Sequence, residues 1–293
     1  MDIPVRARLE VLPMPMPAQR LTAGDGEDVR GYLALAVAPR PEVFASPDDP
    51  AERAFYRWVL GHHLAFGTWR LLGDLLEDLL RDGVTDAGMA EAALWYDRYS
   101  ALQLYAGSCT ADTYAQVIRA RMMARNPAFS GVWARDYERV LALLGRYDLP
   151  ADGVLKQALK RHRLIHMTLA KILVPQGESL LKQAGRRPGE GATDDERDTL
   201  DEFFLVHRRP TSDAEFRAHL LRRVAALQCD LAARPLDLPT HTGVADLLPA
   251  GLSSMMRDLA TTLAARPLLE EHDGPRQTDR TEPAADELRR RAS

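Results

Sequence analysis

The chain reads as an all-α protein, one helical bundle preceded by an extended arm. Three observations carry that reading. From Pro50 to about Arg81 the apolar positions Phe55, Trp58, Val59, Phe66, Trp69, Leu72, Leu76 and Leu80 cover most of a helix circumference, as a central helix requires. Thr193-Asp194-Asp195-Glu196 and Ser212-Asp213-Ala214-Glu215 both have the spacing of a capping box, which starts a helix. No segment sustains the apolar–polar alternation of a half-buried strand, and no internal repeat is present.

The elements follow in order. Residues 1–45 are punctuated by proline (Leu12-Pro13-Met14-Pro15-Met16-Pro17, then Pro39-Arg40-Pro41). Proline removes a backbone donor and turns the preceding residue away from helix. This is an extended arm, with a short helix around Val29 to Val37, laid over the body or over a neighbouring subunit. Asp48 and Asp49 before Pro50 cap the long helix, which stops at Asp82-Gly83. Further helices are expected over about Asp86–Tyr105, Ala111–Arg125 (halted by Asn126-Pro127), Trp133–Leu144 and residues 151–173. Gly185 to Ala192 is a Gly-rich loop. The two capping boxes then start helices reaching about Val206 and about Ala233, and a last helix covers about Val244–Ala264 with Pro249 in its first turns. The all-α body is expected over residues 46–266. From 267 to 293 the chain is charged and poor in large apolar residues, which predicts a partly disordered tail, with Arg289-Arg290-Arg291 as a solvated end.

Composition excludes several function classes. The 293 residues are 46% hydrophobic and 27% charged with a net charge of -4, an ordinary soluble balance that gives no reason to expect nucleic acid as the main partner. No stretch has the uninterrupted apolar length of a membrane span, and the N-terminus lacks the build of a secretory signal. Cys109 and Cys229 are the two cysteines, far apart and without CxxC, so a reducing cytoplasm is expected and a disulfide scaffold is not. Without CxxCH, attached c-type haem has no support.

The histidines are the informative residues. Among the eight, His62 and His63 fall on a helix with little polar face to spare. A buried imidazole needs a partner, and can serve as a neutral ligand or as an acid/base near neutral pH; spacing alone does not choose. His162 and His166, at i and i+4, share a helix face, but Arg163 follows His162 where a zincin needs glutamate. Leu169, Ile172 and Leu173 continue that helix, so apolar surroundings are expected for His166, as suits a proximal haem ligand.

Three pieces together resemble the tryptophan 2,3-dioxygenase-like superfamily of haem enzymes. His63 and Trp69 have the spacing of its distal histidine and following tryptophan, continued by the Leu-rich run Leu71 to Leu80. Arg119 to Gly131, with the Pro127-Ala128-Phe129-Ser130-Gly131 core, is similar to its substrate-carboxylate segment. His166 ahead of the Gly-rich loop is similar to its proximal histidine. The order agrees over roughly residues 50–195. The chain departs from the dioxygenase wording at Gly189-Glu190-Gly191-Ala192-Thr193 and at Pro127 to Trp133, and there looks more like the bacterial haem-dependent L-tyrosine 3-hydroxylases.

That resemblance implies a helical bundle of the dioxygenase-like type and non-covalent haem b ligated by His166. It implies His63 as the distal catalytic residue, with His62 as its rival for that place. Arg121 or Arg119 would pair with the substrate carboxylate, Ser130 and Phe66 would contact substrate, and Trp69 and Trp133 would wall the haem. The implied reaction is hydroxylation of L-tyrosine or a close analogue ortho to the phenol, with hydrogen peroxide, giving L-DOPA for antibiotic biosynthesis. A dimer or larger homo-oligomer is implied as well. The alternatives are a tryptophan or indole dioxygenase using dioxygen, and a cofactor-free helical interaction protein.

Overall fold

The computed structural model describes residues 5–6, 9–24, 27–175, 177–187, 190–238 and 243–265. The charged tail expected from residue 267 lies outside them, as does the centre of the Gly-rich loop. The architecture is mostly helical. In order, β1 (Val5–Arg6) and β2 (Leu12–Met14) precede α1 (Arg30–Val37) and β3 (Phe44–Ala45). The bundle then comprises α2 (Pro50–Asp82), α3 (Asp86–Ala106), α4 (Ala111–Thr113), a π-helical segment (Tyr114–Arg119), α5 (Ala120–Arg125), a 3-10 turn (Gly131–Trp133), α6 (Arg135–Leu144), α7 (Val154–Leu173) and α8 (Leu180–Gln183). It continues through α9 (Asp194–Phe203), β4 (Val206–Arg208), α10 (Asp213–Ala233), a 3-10 turn (Val244–Leu247) and α11 (Leu252–Ala265).

The long helix is capped as its sequence dictates. The Asp49 carboxylate accepts from the Glu52 N–H at 2.8 Å, with Pro50 in the first turn. Thr193 and Glu196 complete a reciprocal capping box on α9, and Ser212 caps α10.

α3 is the hub. It packs against α2 on one side and α7 on the other. Two glycines allow this close approach. A Cβ on Gly61 of α2 would lie 2.8 Å from the Ala106 Cβ, and one on Gly107 would lie 2.6 Å from Leu169 Cδ2 of α7. Both glycines stand near the candidate histidines, so the approach of the three helices fixes where those imidazoles sit.

The arm is built into the bundle rather than laid over it. β2 pairs in parallel with β4, Leu12 opposite Val206, and Leu12 and Met14 are fully buried. Prolines leave the arm rich in carbonyls and poor in donors, and arginines answer them. Arg70 donates to the Met16 and Pro17 carbonyls, Arg208 to that of Pro15, and Arg223 to those of Glu10 and Val11.

Three expectations need correction. The stretch Ala111–Arg125 is not a uniform α-helix, since its centre winds as π-helix. The last helix begins at Leu252, because residues 244–247 form a separate 3-10 turn and Pro249 stands in the break. The helix after Thr193 ends at Phe203, where Phe204 and Leu205 turn sharply. Leu205 has φ 53°, a left-handed conformation unfavourable for a branched side chain.

Candidate active site

Trp58, His62 and Trp69 follow at i, i+4 and i+11 along one face of α2, and Tyr99 and Gln103 at i and i+4 along α3. α7 adds His162 and His166. Aromatic contacts join them. Phe204 stacks on His62 at 4.3 Å and meets Phe66 at 5.7 Å; Phe66 meets Trp69 at 5.3 Å, and Trp69 meets Tyr99 at 5.0 Å. Tyr99 stacks on His162 at 4.4 Å, and His162 lies 6.2 Å from His166. Trp58, His62 and Gln103 are half-buried and His166 is exposed, so these four form the accessible edge of the aromatic layer.

The adjacent histidines of α2 hold opposite tautomers. His62 Nδ1 lies 2.6 Å from the Trp58 carbonyl, which can only accept, so Nδ1 carries the proton and Nε2 keeps its lone pair. Nε2 has no hydrogen-bond partner among the described residues. His63 is the reverse. Arg223 Nε can only donate, and reaches His63 Nδ1 at 3.1 Å, so the proton sits on Nε2 and is donated to the Phe204 carbonyl. Desolvation lowers the His62 pKa to about 4. It also holds His63 well below the usual range, and the neighbouring Arg223 charge adds to the effect. Both rings are neutral at pH 7.

The structure therefore does not bring His63 to the accessible edge. It is 1% exposed with both ring nitrogens occupied. It clamps the turn that carries Phe204, whose ring stacks on His62. Phe66, Trp69 and Trp133 are likewise core, at 1%, 4% and 0% exposure, and stand behind the edge rather than on it. Ser130 caps the 3-10 turn through a long 3.5 Å contact from the Val132 N–H.

The two candidate arginines also separate. Arg119 is spent on structure, donating to the Glu178 carbonyl and to Gln183 Oε1, both at 2.9 Å. Arg121 is exposed, lays its guanidinium over the Phe55 ring at 4.1 Å, and has no carboxylate partner among the described residues. Phe55 precedes His62 by seven residues on α2, about 10 Å along the axis and on the same face.

On α7, His162 Nδ1 lies 3.1 Å from the Ser100 hydroxyl, which itself donates to the Tyr96 carbonyl. Burial lowers the His162 pKa to about 3. His166 Nδ1 lies 3.3 Å from Gln103 Nε2, while its Nε2 has no partner among the described residues. Surrounding protein lowers its pKa too, although the ring is exposed. Cys109 and Cys229 are buried and free, and burial pushes the Cys109 thiol up to about 12.

Three polar atoms in this layer are buried without a hydrogen-bond partner among the described residues: Trp58 Nε1, Trp69 Nε1 and Gln103 Oε1. Such groups are costly in a purely structural core. A separate open hollow of about 690 Å³ between α1 and residues 39–44 shares none of these residues.

One comparison decides the class. Residues 17–149 match the family of SfmD 3-methyl-L-tyrosine peroxygenases. The matched family is one of peroxygenases, oxidoreductases that act on an aromatic amino acid, and the match identifies the chain as an enzyme, an oxidoreductase. The match includes His62, His63, Arg119 and Arg121, and stops before His166. No curated protein matches the chain. No helix among the described residues is long and apolar enough to cross a membrane.

Phe204 and Gln103 are the candidate-site residues that sequence reasoning did not place, while His62 entered it only as the rival of His63. A signal for His62 existed in the i+4 carbonyl of Trp58. Phe204 and Gln103 act across long sequence separations and left none.

Proposed function

We propose that the chain is a haem-dependent peroxygenase that hydroxylates L-tyrosine or a close ring-substituted analogue ortho to the phenol, using hydrogen peroxide. His62 is its distal imidazole and His166 its iron ligand. The observation that supports this reading best is the tautomer of His62, a neutral ring at the accessible edge with its Nε2 lone pair unpartnered among the described residues. The residues fit a haem. Two imidazoles with open Nε2 atoms belong to one aromatic layer, beside unpartnered indole N–H groups.

When bound, non-covalent haem b would supply the oxidising chemistry that peroxide drives. The chain's own residues do the rest. Arg121 binds the amino-acid carboxylate, its planar fork offering two parallel donors that lysine lacks. The Phe55 face steadies the guanidinium. The aromatic ring of the substrate then extends along α2 toward His62. His62 Nε2 takes up a proton from peroxide or from the phenol, while Nδ1–H stays on the Trp58 carbonyl. With its pKa near about 4, the ring is neutral before that step and releases the proton readily afterwards. Phe204 stacks on the imidazole and Trp58 packs against it at a tilt, which restricts its contact with water. His63 holds Phe204 in place and exchanges no proton.

The test is product analysis. Haem-loaded protein given L-tyrosine and hydrogen peroxide should form the catechol L-DOPA, as a supplier to antibiotic biosynthesis would, and should leave tryptophan untouched under dioxygen. Turnover of tryptophan with dioxygen, and none of tyrosine or its ring-methylated analogue with peroxide, would overturn the assignment. Assembly as a dimer or larger belongs to the same proposal; light scattering on the purified protein checks it.

A further inference from the structure

Gln103 on α3 occupies an unusual position. Its side-chain amide meets two groups at once, Tyr99 Oη at 3.0 Å on its own helix and His166 Nδ1 at 3.3 Å on α7. As placed, the amino end points to both, and the carbonyl oxygen is buried with no partner among the described residues. A donor at His166 Nδ1 would put the ring proton on Nε2, the nitrogen that has no partner among the described residues. A half-turn of the amide exchanges its two ends without moving any other heavy atom. The carbonyl would then accept from both the Tyr99 hydroxyl and His166 Nδ1–H, and His166 Nε2 would be left as a bare lone pair.

We infer that Gln103 is the positioning residue of the iron ligand: through its carbonyl it fixes the Nδ1–H tautomer and the ring orientation of His166. The inference rests on the proposed role of His166 and names a residue for which neither the motifs nor the family match gives a role. A metal-bound histidine gains basicity and a fixed orientation when its second nitrogen donates to a carbonyl or carboxylate. Tyr99 strengthens the arrangement. Its ring is buried between Trp69 and His162, so its hydroxyl arrives from a fixed direction, and burial keeps it protonated as a donor.

The test uses the full chain titrated with haem, with the ferrous iron–histidine stretch read by resonance Raman. Gln103→Leu removes the acceptor and should weaken haem binding about 10- to 100-fold, with the stretch moving to lower frequency. Gln103→Glu keeps the shape, offers a stronger acceptor, and should move the stretch to higher frequency. Wild-type affinity and frequency in both variants would overturn the inference while leaving His166 as ligand. If the iron–histidine band survives His166→Ala, the ligand assignment itself fails, and this inference with it.

Discussion

Replacing His63 by leucine separates its role from that of its neighbour. Leucine fills much of the same volume but leaves two buried groups unpaired, the Phe204 carbonyl and the Arg223 Nε–H. A buried neutral group left unsatisfied costs about 1–3 kcal/mol, and a charged donor more. His63 is 1% exposed and water does not reach the gap, so the sum is about 3–5 kcal/mol. For a chain of this size each kcal/mol lowers the melting temperature by roughly 2–4 °C, so a drop on the order of 10 °C is expected. The same change at His62 removes one hydrogen bond, to a carbonyl already engaged within the helix, at about 1 kcal/mol or less. Its effect on catalysis is the larger one, a fall in turnover of about 100-fold or more, as expected for a lost proton carrier. The assay pairs circular-dichroism melts with turnover per haem, measured 15 °C or so below each melt. A His63→Leu protein with an unchanged melt would refute the clamp. A folded His63→Leu protein that is inactive beside an active His62→Leu protein would refute the division of labour.

Other predictions follow from neighbouring contacts. Arg121→Leu should raise the KM for the aromatic amino acid about 10- to 100-fold, the loss of a charge-assisted contact, and leave the melt unchanged because the side chain is exposed; steady-state kinetics decides it. Stability should decline as pH falls below about 6.5, where an unfolded histidine takes a proton. His62, His63 and His162 resist that proton in the fold, so the unfolded state binds more protons and each ring contributes up to about 1.4 kcal/mol per pH unit until its folded pKa is reached. Above pH 7 this dependence vanishes. Melts from pH 7.5 to 4.5 check it, and His162→Asn should flatten the slope. Gly61→Ala should destabilise by about 1–3 kcal/mol and more than Gly107→Ala. The added methyl at 61 meets Ala106 beside its backbone, whereas at 107 it meets the movable tip of Leu169; urea unfolding of both variants tests the order.

The helices were legible because local signals define them. Asp49-Pro50, Thr193 with Glu196, and Ser212 cap helices through contacts three residues away. The break at Pro249 is local, but other stretches that were not read involve distant partners. Nothing near Leu12 shows that it will pair with Val206, and the π-helical turn at Tyr114–Arg119 packs against α2. At the site, the imidazole pair was visible but not its orientation. Arg223, one hundred and sixty residues away, assigns the proton of His63, while Trp58, four residues away, assigns that of His62. The two arginines looked equivalent in sequence. They differ because Arg119 reaches the α7–α8 connection while Arg121 reaches Phe55.

The proposed chemistry depends on haem held between two helices through His166 and facing His62. The most direct measurement is the optical spectrum of the haem-titrated protein, taken for wild type, His166→Ala and His62→Leu, with and without L-tyrosine. Wild type should show a Soret band that survives desalting and shifts on adding tyrosine. The band should be lost or displaced in His166→Ala, and retained but insensitive to peroxide in His62→Leu. A wild-type protein that stays colourless, or a His166→Ala spectrum identical to wild type, would contradict that placement of the haem.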